Sequence, residues 1–229
     1  MTLAIMQPYL FSYIGYWQLI NAVDTFVIFD DVNFIKKGYI NRNSILVGGK
    51  SQQITLELIG ASQNKLINEI KVGNNSQKLL KTIEMSYKKA PYFDNVFSII
   101  EDILNQEESN LAKFIGYSLQ KISNYLEIDT KFIYSSSIEK DNSLKAQNKI
   151  LDICKKLDAT DYINAIGGKE LYDKDKFEKQ NIKLNFLEPE IQKYMQLESE
   201  FISYLSIIDI IMFNNKDNIS KMLMQYKLL

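Results

Sequence analysis

The 229-residue chain has no histidine, one cysteine and three prolines. Without imidazole there is no histidine general base, no Cys–His couple and no His-ligated metal centre. Cys154 alone forms neither an intramolecular disulfide nor a multi-cysteine zinc site, so nothing points to an oxidising compartment. No uncharged apolar run reaches the roughly eighteen residues of a membrane span, and the start MTLAIMQPYL lacks the basic n-region of a secretory signal. A cytoplasmic protein without a transmembrane segment is the expectation. Charge of one sign is missing as well. Twenty-seven basic residues face 28 acidic ones, leaving no general field for a nucleic-acid backbone, and no nucleic-acid partner is expected. Chemistry is left to carboxylates, amines, guanidinium, amides, hydroxyls and the lone thiol. What is present, 46% hydrophobic and 24% charged residues, is globular rather than disordered composition.

The pattern along the chain is that of an α/β protein. Residues 3–6 read as a short buried strand stopped by Gln7-Pro8, and residues 13–21 as a short helix containing Gly15. The run 25–29, TFVIF, reads as a second strand ending at Asp30-Asp31. A β-α-β unit of this kind puts Gln7 and Asp30-Asp31 at the carboxyl ends of neighbouring parallel strands, where open α/β sheets place ligands. Segments 44–47 and 53–58 flank Gly48-Gly49-Lys50-Ser51 as a hairpin, which would add antiparallel strands to the parallel region. Helices are expected at 76–88, 92–104 and 111–126, the last with Ser109 as its cap. Strand 131–134 leads into Ser135-Ser136-Ser137, and 144–157 is an amphipathic helix. Short strands follow at 162–163 and 183–187, then an apolar stretch at 204–213 interrupted by Asp209. The expectation is one Rossmann-like α/β domain over 1–229. It has a mixed, partly parallel sheet, an added hairpin and a mostly helical insertion at about 76–128.

Four groups of residues are candidates for chemistry. The densest runs from Asp30 to Asn43: Asp30 and Asp31 can orient a hydroxyl or take a proton, and Lys36, Lys37 and Arg42 can neutralise a phosphate or carboxylate. Asn41 and Asn43 add uncharged donors and acceptors, although a solvated loop after a core strand has the same composition. Gln7, Tyr9, Tyr13, Gly15 and Tyr16 surround the first strand–helix turn, where an amide or phenol can orient a substrate; packing is the competing role for the aromatics. Neither a GxGxxG nor a GxxxxGK[ST] stands there. Gly167 and Gly168, with Lys169 and the nearby Tyr172, can present amides and charge to an anion, or simply turn the chain. Asp209 needs a hydrogen bond, a cation or a proton if it is buried, and can equally orient a core element. Cys154, on an apolar helix face with no histidine to activate it, reads as core filling before nucleophile.

The blocks MQPYLFSYIGYWQLI, VDTFVIFDDVNFIKKGYINRNSIL, YINAIGGKELYD and FISYLSIIDIIMF together resemble the WbqC-like family, collinearly over nearly the whole chain. Family members are associated with bacterial O-antigen (lipopolysaccharide) and other surface-polysaccharide biosynthesis. Many carry proline where this chain has Ser12, a change that removes a φ restraint but no reactive group. The first β-α turn is distantly similar to the HxGH turn of nucleotidylyltransferases and related ligases. Here Tyr13-Ile14-Gly15-Tyr16 has tyrosine at both histidine positions.

The resemblance implies a transferase that passes an acyl or aminoacyl group to an amino sugar, a small-molecule, nucleotide-linked substrate, with an acyl donor as co-substrate. In that reading Asp30 or Asp31 orients or deprotonates the amine. Arg42 with Lys36 or Lys37 holds diphosphate, Gln7 and Asn41 fix polar edges, and Gly167-Gly168 form a second wall. The alternatives are a nucleotidyl-transferring or adenylate-forming enzyme using an NTP and Mg²⁺, and a non-catalytic binding or scaffold protein of a glycan pathway.

Overall fold

A computed structural model describes residues 1–197 and 200–229. The chain opens with β1 (Thr2–Met6), α1 (Ile14–Asn21) and β2 (Thr25–Ile28). β1 and β2 pair in parallel, from Leu3 opposite Thr25 to Met6 opposite Ile28, so the expected β-α-β unit is present. β3 (Arg42–Val47) and β4 (Lys50–Thr55) form the expected hairpin. Its turn is Gly48 and Gly49 at φ 55° and 75°, the left-handed pair that a two-residue turn requires. Lys50 therefore already pairs with Val47, and the second strand starts earlier than the sequence suggested. The hairpin is a two-stranded sheet of its own, as are the short β5 (Leu58–Ile59) and β6 (Lys71–Val72).

Three helices follow close to their expected bounds: α2 (Ser76–Tyr87), α3 (Phe93–Asn105) and α4 (Leu111–Leu126). The cap of α4 is Asn110, not Ser109; its side chain accepts from the Lys113 amide at 3.2 Å. Ser109 lies one residue outside, its carbonyl taken by the Val72 amide at 2.8 Å. The second half alternates strand and helix. It comprises β7 (Lys131–Tyr134), α5 (Ala146–Lys156), β8 (Asp161–Ala165), α6 (Lys174–Glu178), β9 (Lys183–Pro189), α7 (Ile207–Phe213), α8 (Lys216–Leu223) and β10 (Tyr226–Leu228). The apolar stretch around Asp209 is thus a helix, α7, capped by Ser206, whose hydroxyl accepts from the Ile208 amide.

The main sheet has the order β10-β9-β8-β1-β2-β7, parallel except for β10, which runs antiparallel to β9. This is a mixed, Rossmann-like α/β arrangement. The chain builds outward from β1 to β2 and β7, then returns to the other side of β1 with β8 and β9. Its direction reverses between β1 and β8, and ligands of open α/β sheets settle at the carboxyl edge of such a reversal. Side-chain alternation divides two cores. Leu3, Ile5 and Val27 pack with Ile153 and Cys154 of α5 and Phe177 of α6. Ala4, Phe26 and Ile28 point the other way, into a core shared with Trp17, Ile83, Ile115 and Ile211 from α1, α2, α4 and α7. Cys154 is fully buried, and burial pushes its thiol up to about 12, which fits core filling.

Candidate functional site

Beyond β1 the chain turns sharply, with Phe11 at φ 46°. A non-glycine residue holds that conformation only when its surroundings impose it. Here two side chains clamp its carbonyl: Asn43 Nδ2 donates to it at 2.8 Å and Ser206 Oγ at 2.7 Å. Backbone bonds add Leu10 N to Ile40 O, Ser206 N to Ser44 O and Ile207 N to Ser12 O, at 3.0, 2.8 and 2.9 Å. Three blocks far apart in sequence are thereby joined: the turn after β1, the start of β3 with the loop before it, and the start of α7.

Between them lies a cavity of about 260 Å³ lined by Tyr9, Ser12, Tyr13, Tyr39, Asn43 and Tyr204. Tyr9 and Tyr39 have ring centroids 6.4 Å apart, and Tyr13 and Tyr204 6.1 Å apart. Tyr39 and Tyr204 are 61% and 65% exposed, which places them at the mouth. Burial, and then neighbouring phenols, raises the pKa of Tyr9 and Tyr13, so both stay neutral and donate. A Cβ on Gly15 would stand 2.6 Å from the Tyr13 ring, so glycine there lets the ring fold back on the start of α1. Ser12 is 1% exposed and its hydroxyl has no hydrogen-bond partner among the described residues. The position that read as a lost proline therefore contributes an unsatisfied polar atom to the cavity wall.

Asn43 both lines this cavity and braces it, while the other candidates nearby frame it without lining it. Tyr16 is buried and donates its hydroxyl to the Gln7 carbonyl at 2.9 Å, which fixes the end of β1. Asn41 Nδ2 donates to Leu56 O at 2.7 Å. Asn43, besides clamping Phe11, accepts from the Ser44 amide at 2.8 Å. Arg42, the sole arginine, donates Nε to Gly38 O at 2.8 Å, while Nη1 lies 3.5 Å from Gln53 Oε1. It therefore holds the loop that carries Tyr39. Lys36 and Lys37 are exposed at the tip of that loop, with Lys37 at φ 63°.

The adjacent carboxylates have different surroundings. Asp30 is buried and accepts from the Ser136 amide at 2.9 Å, Ser136 Oγ at 2.6 Å and Asn68 Nδ2 at 3.2 Å. Asp31 Oδ2 lies 2.8 Å from Lys140 Nζ and 3.2 Å from Lys149 Nζ. Burial alone would raise the Asp31 carboxyl. The Lys140 and Ser135 contacts and the charges of Lys149 and Lys140 outweigh burial and hold it below the ordinary carboxylate range.

The remaining candidates lie elsewhere. Gly167, Gly168 and Lys169 sit in a 3₁₀ turn, Ile166–Leu171, at the carboxyl end of β8, with Gly167 and Lys169 exposed. Tyr172 packs its ring on Tyr162 and Phe177, centroids 6.0 Å from each. Asp209, a candidate for substrate binding or for orienting a core element, is 0% exposed and spends both oxygens on protein donors. Tyr87 OH donates to it at 2.9 Å, and Tyr194 OH and Gln196 Nε2 at 2.6 Å each. Its role here is to tie α2 and the segment before α7 to α7. Among the described residues no three His, Cys, Asp or Glu side chains cluster as a metal site.

A family model described as the WbqC-like protein family matches residues 7–221. The chain belongs to that family. It is also similar to the uncharacterized protein Rv1507c of Mycobacterium tuberculosis, 26% identical over 213 residues that cover 91% of each chain. No solved structure gives a significant match. Membership of the WbqC-like family suggests a biosynthetic enzyme. No helix among the described residues is long and apolar enough to cross a membrane.

In this WbqC-like chain the sequence reading missed Ser12, Tyr39 and Tyr204 of the cavity and Lys140 and Lys149 beside Asp31. The two lysines stand 109 and 118 residues from Asp31 in sequence. A single usable signal existed for Lys149, its place on the amphipathic helix that follows β7 and the serine run. For Tyr204 there was none, because its place depends on Ser206 bonding to Phe11.

Proposed function

We propose that this WbqC-like protein is a transferase of surface-polysaccharide biosynthesis that moves an acyl or aminoacyl group onto a nucleotide-linked amino sugar. The observation that carries the reading is the tyrosine-lined cavity at the carboxyl end of β1, with a cationic loop forming one of its walls. Phenol faces suit a pyranose ring, and their hydroxyls with Ser12 Oγ suit its alcohols. Lys36 and Lys37 precede Tyr39 on the same loop and are exposed, which supports assigning them to the diphosphate of a ligand whose ring lies against Tyr39. Arg42 supports them through Gly38.

In the reaction the sugar amine attacks the acyl carbon and a C–N bond forms. The donor's leaving group departs with its electron pair, and one amine proton passes to that group or to solvent. The carboxylates are poor candidates for removing that proton: Asp31 is held ionised by cations, and Asp30 already accepts three hydrogen bonds. Their roles are assigned to charge placement instead. The nucleotidyl-transfer alternative gains nothing from Tyr13-Ile14-Gly15-Tyr16, since the Tyr16 hydroxyl is spent on Gln7.

The test is a mass-spectrometric screen of purified protein with sugar nucleotides and acyl donors, followed by Tyr39→Ala and Tyr204→Ala. A product heavier by the acyl group is expected. Its kcat/KM should fall tenfold or more, about 1.4 kcal/mol, in each variant. Turnover unchanged in both would remove the cavity from the mechanism.

A further inference from the structure

We infer that Lys149 is a phosphate-binding residue, held ready by Asp31 and Lys140 at the carboxyl edge of β2. Lysine has three N–H donors. Those of Lys140 have three acceptors: Asp31 Oδ2, the Ser135 carbonyl and the Ile138 carbonyl. Its side chain is 2% exposed, so it is a sealed, fully used cation. Lys149 has two acceptors, the backbone oxygen and Oδ2 of Asp31, each at 3.2 Å. One N–H is left over, on a side chain 12% exposed that lies across the Phe29 ring at 5.4 Å.

Charge accounting gives the same answer. One carboxylate serves two ammoniums, so one positive charge is uncompensated in a place mostly removed from water, where that is costly. Neighbouring carboxylates do not supply the balance. Asp30, Asp141 and Asp152 accept from neutral donors and, like the exposed Glu139, form no ion pair with either lysine among the described residues. Among the described residues neither lysine has a second carboxylate within ion-pair distance. Lys149 is also the fourth residue of α5, a helix whose start carries no acidic residue and no side-chain cap. Its field there adds to the lysine's own. A phosphate on Lys149 would neutralise the surplus and take the free N–H. Asp31 and Lys140 act through Lys149 and are positioning residues.

The inference rests on the proposed function only for calling that phosphate the diphosphate of a nucleotide-linked sugar. Inorganic pyrophosphate therefore serves as the probe, so that the two ideas fail separately. Calorimetric titration of the full chain at low salt should show binding that weakens at least tenfold in Lys149→Gln and survives within about threefold in Lys149→Arg. Equal binding by wild type and Lys149→Gln, or none by wild type at millimolar pyrophosphate, overturns the inference. Sugar-nucleotide turnover could still stand in that case. Should Lys149→Gln fail to fold, lysine acetylation of the wild type read by mass spectrometry decides the matter. Pyrophosphate should slow labelling at Lys149, and unchanged labelling there counts against the site.

Discussion

Asp209 in α7 is surrounded by neutral donors, whereas Asp31 at the end of β2 is surrounded by cations. Both carboxylates are largely removed from water. Burial raises the Asp209 carboxyl despite the hydrogen bonds of Tyr194, Gln196 and Tyr87, while at Asp31 the lysines reverse the effect of burial. The difference separates two uses of a buried acid. Where the donors are neutral, the acid joins elements, and nothing is left for a ligand. Where ammoniums outnumber carboxylates, a charge remains that a ligand can meet.

The largest expected effect would break the Asp209 side of the comparison. Asp209→Ala strands two phenol donors in a dry site, while the Gln196 amide keeps the Ile202 carbonyl, and lets the segment carrying Tyr194 come away from α7. A loss of about 4 kcal/mol in urea unfolding is expected, since each unsatisfied buried donor costs roughly 1–3 kcal/mol. A loss under about 1 kcal/mol would mean that the two phenols find other partners. Asp31→Asn should come next, at about 3 kcal/mol, because it leaves two ammoniums near each other without their carboxylate. Adding Lys149→Met should recover more than half of that loss if the surplus charge is its source.

The two sites should also differ in the sign of their pH dependence, with smaller effects. The folded value of Asp31 lies below its unfolded one. Its stabilisation is therefore complete above the ordinary carboxylate value, near about 4, and is lost as pH falls through the lower folded value. Asp209 has a raised folded value, so its ionisation opposes folding. Its contribution favours the fold at low pH and fades as pH rises through the raised value. Melting temperatures between about pH 3 and 6 should show a shallower acid limb for Asp31→Asn and a steeper one for Asp209→Asn. The same slope in both variants would erase the distinction.

How much of this could be read in the sequence depended on the range of the contacts involved. TFVIF and the Gly48-Gly49 turn declare β2 and the hairpin because strand propensity and left-handed backbone are local properties. Asp209 declared itself as a buried acid by interrupting an apolar run, and its partners did not, since Tyr87 lies 122 residues away. The Asp30 to Asn43 block was visible as a polar cluster. Its division into a framing Arg42, the cavity residues Tyr39 and Asn43 and an ion-paired Asp31 was not. That division is made by Leu10, Phe11, Gly38, Lys140 and Lys149, and only Gly38 is near in sequence. The alternation 26–28–30 against 27–29–31 does show why neighbouring acids part. Phe26 and Ile28 join one core and Val27 and Phe29 the other, and Asp30 and Asp31 continue the two directions.

The smallest expected effect is the sharpest test of the comparison. Lys149→Gln removes the surplus cation but leaves Asp31 paired with Lys140 at 2.8 Å. The remaining pair is neutral, and all three Lys140 donors keep their acceptors. Removing one member of a matched buried pair costs several kcal/mol, but removing an unmatched charge relieves repulsion while giving up two long hydrogen bonds. The net change in unfolding free energy should stay within about 1 kcal/mol, of either sign. A cost near that of Asp31→Asn would show Lys149 to be as necessary to the fold as the carboxylate it touches. It would then be a structural partner, and the carboxyl edge of β2 would resemble α7 more than it differs from it.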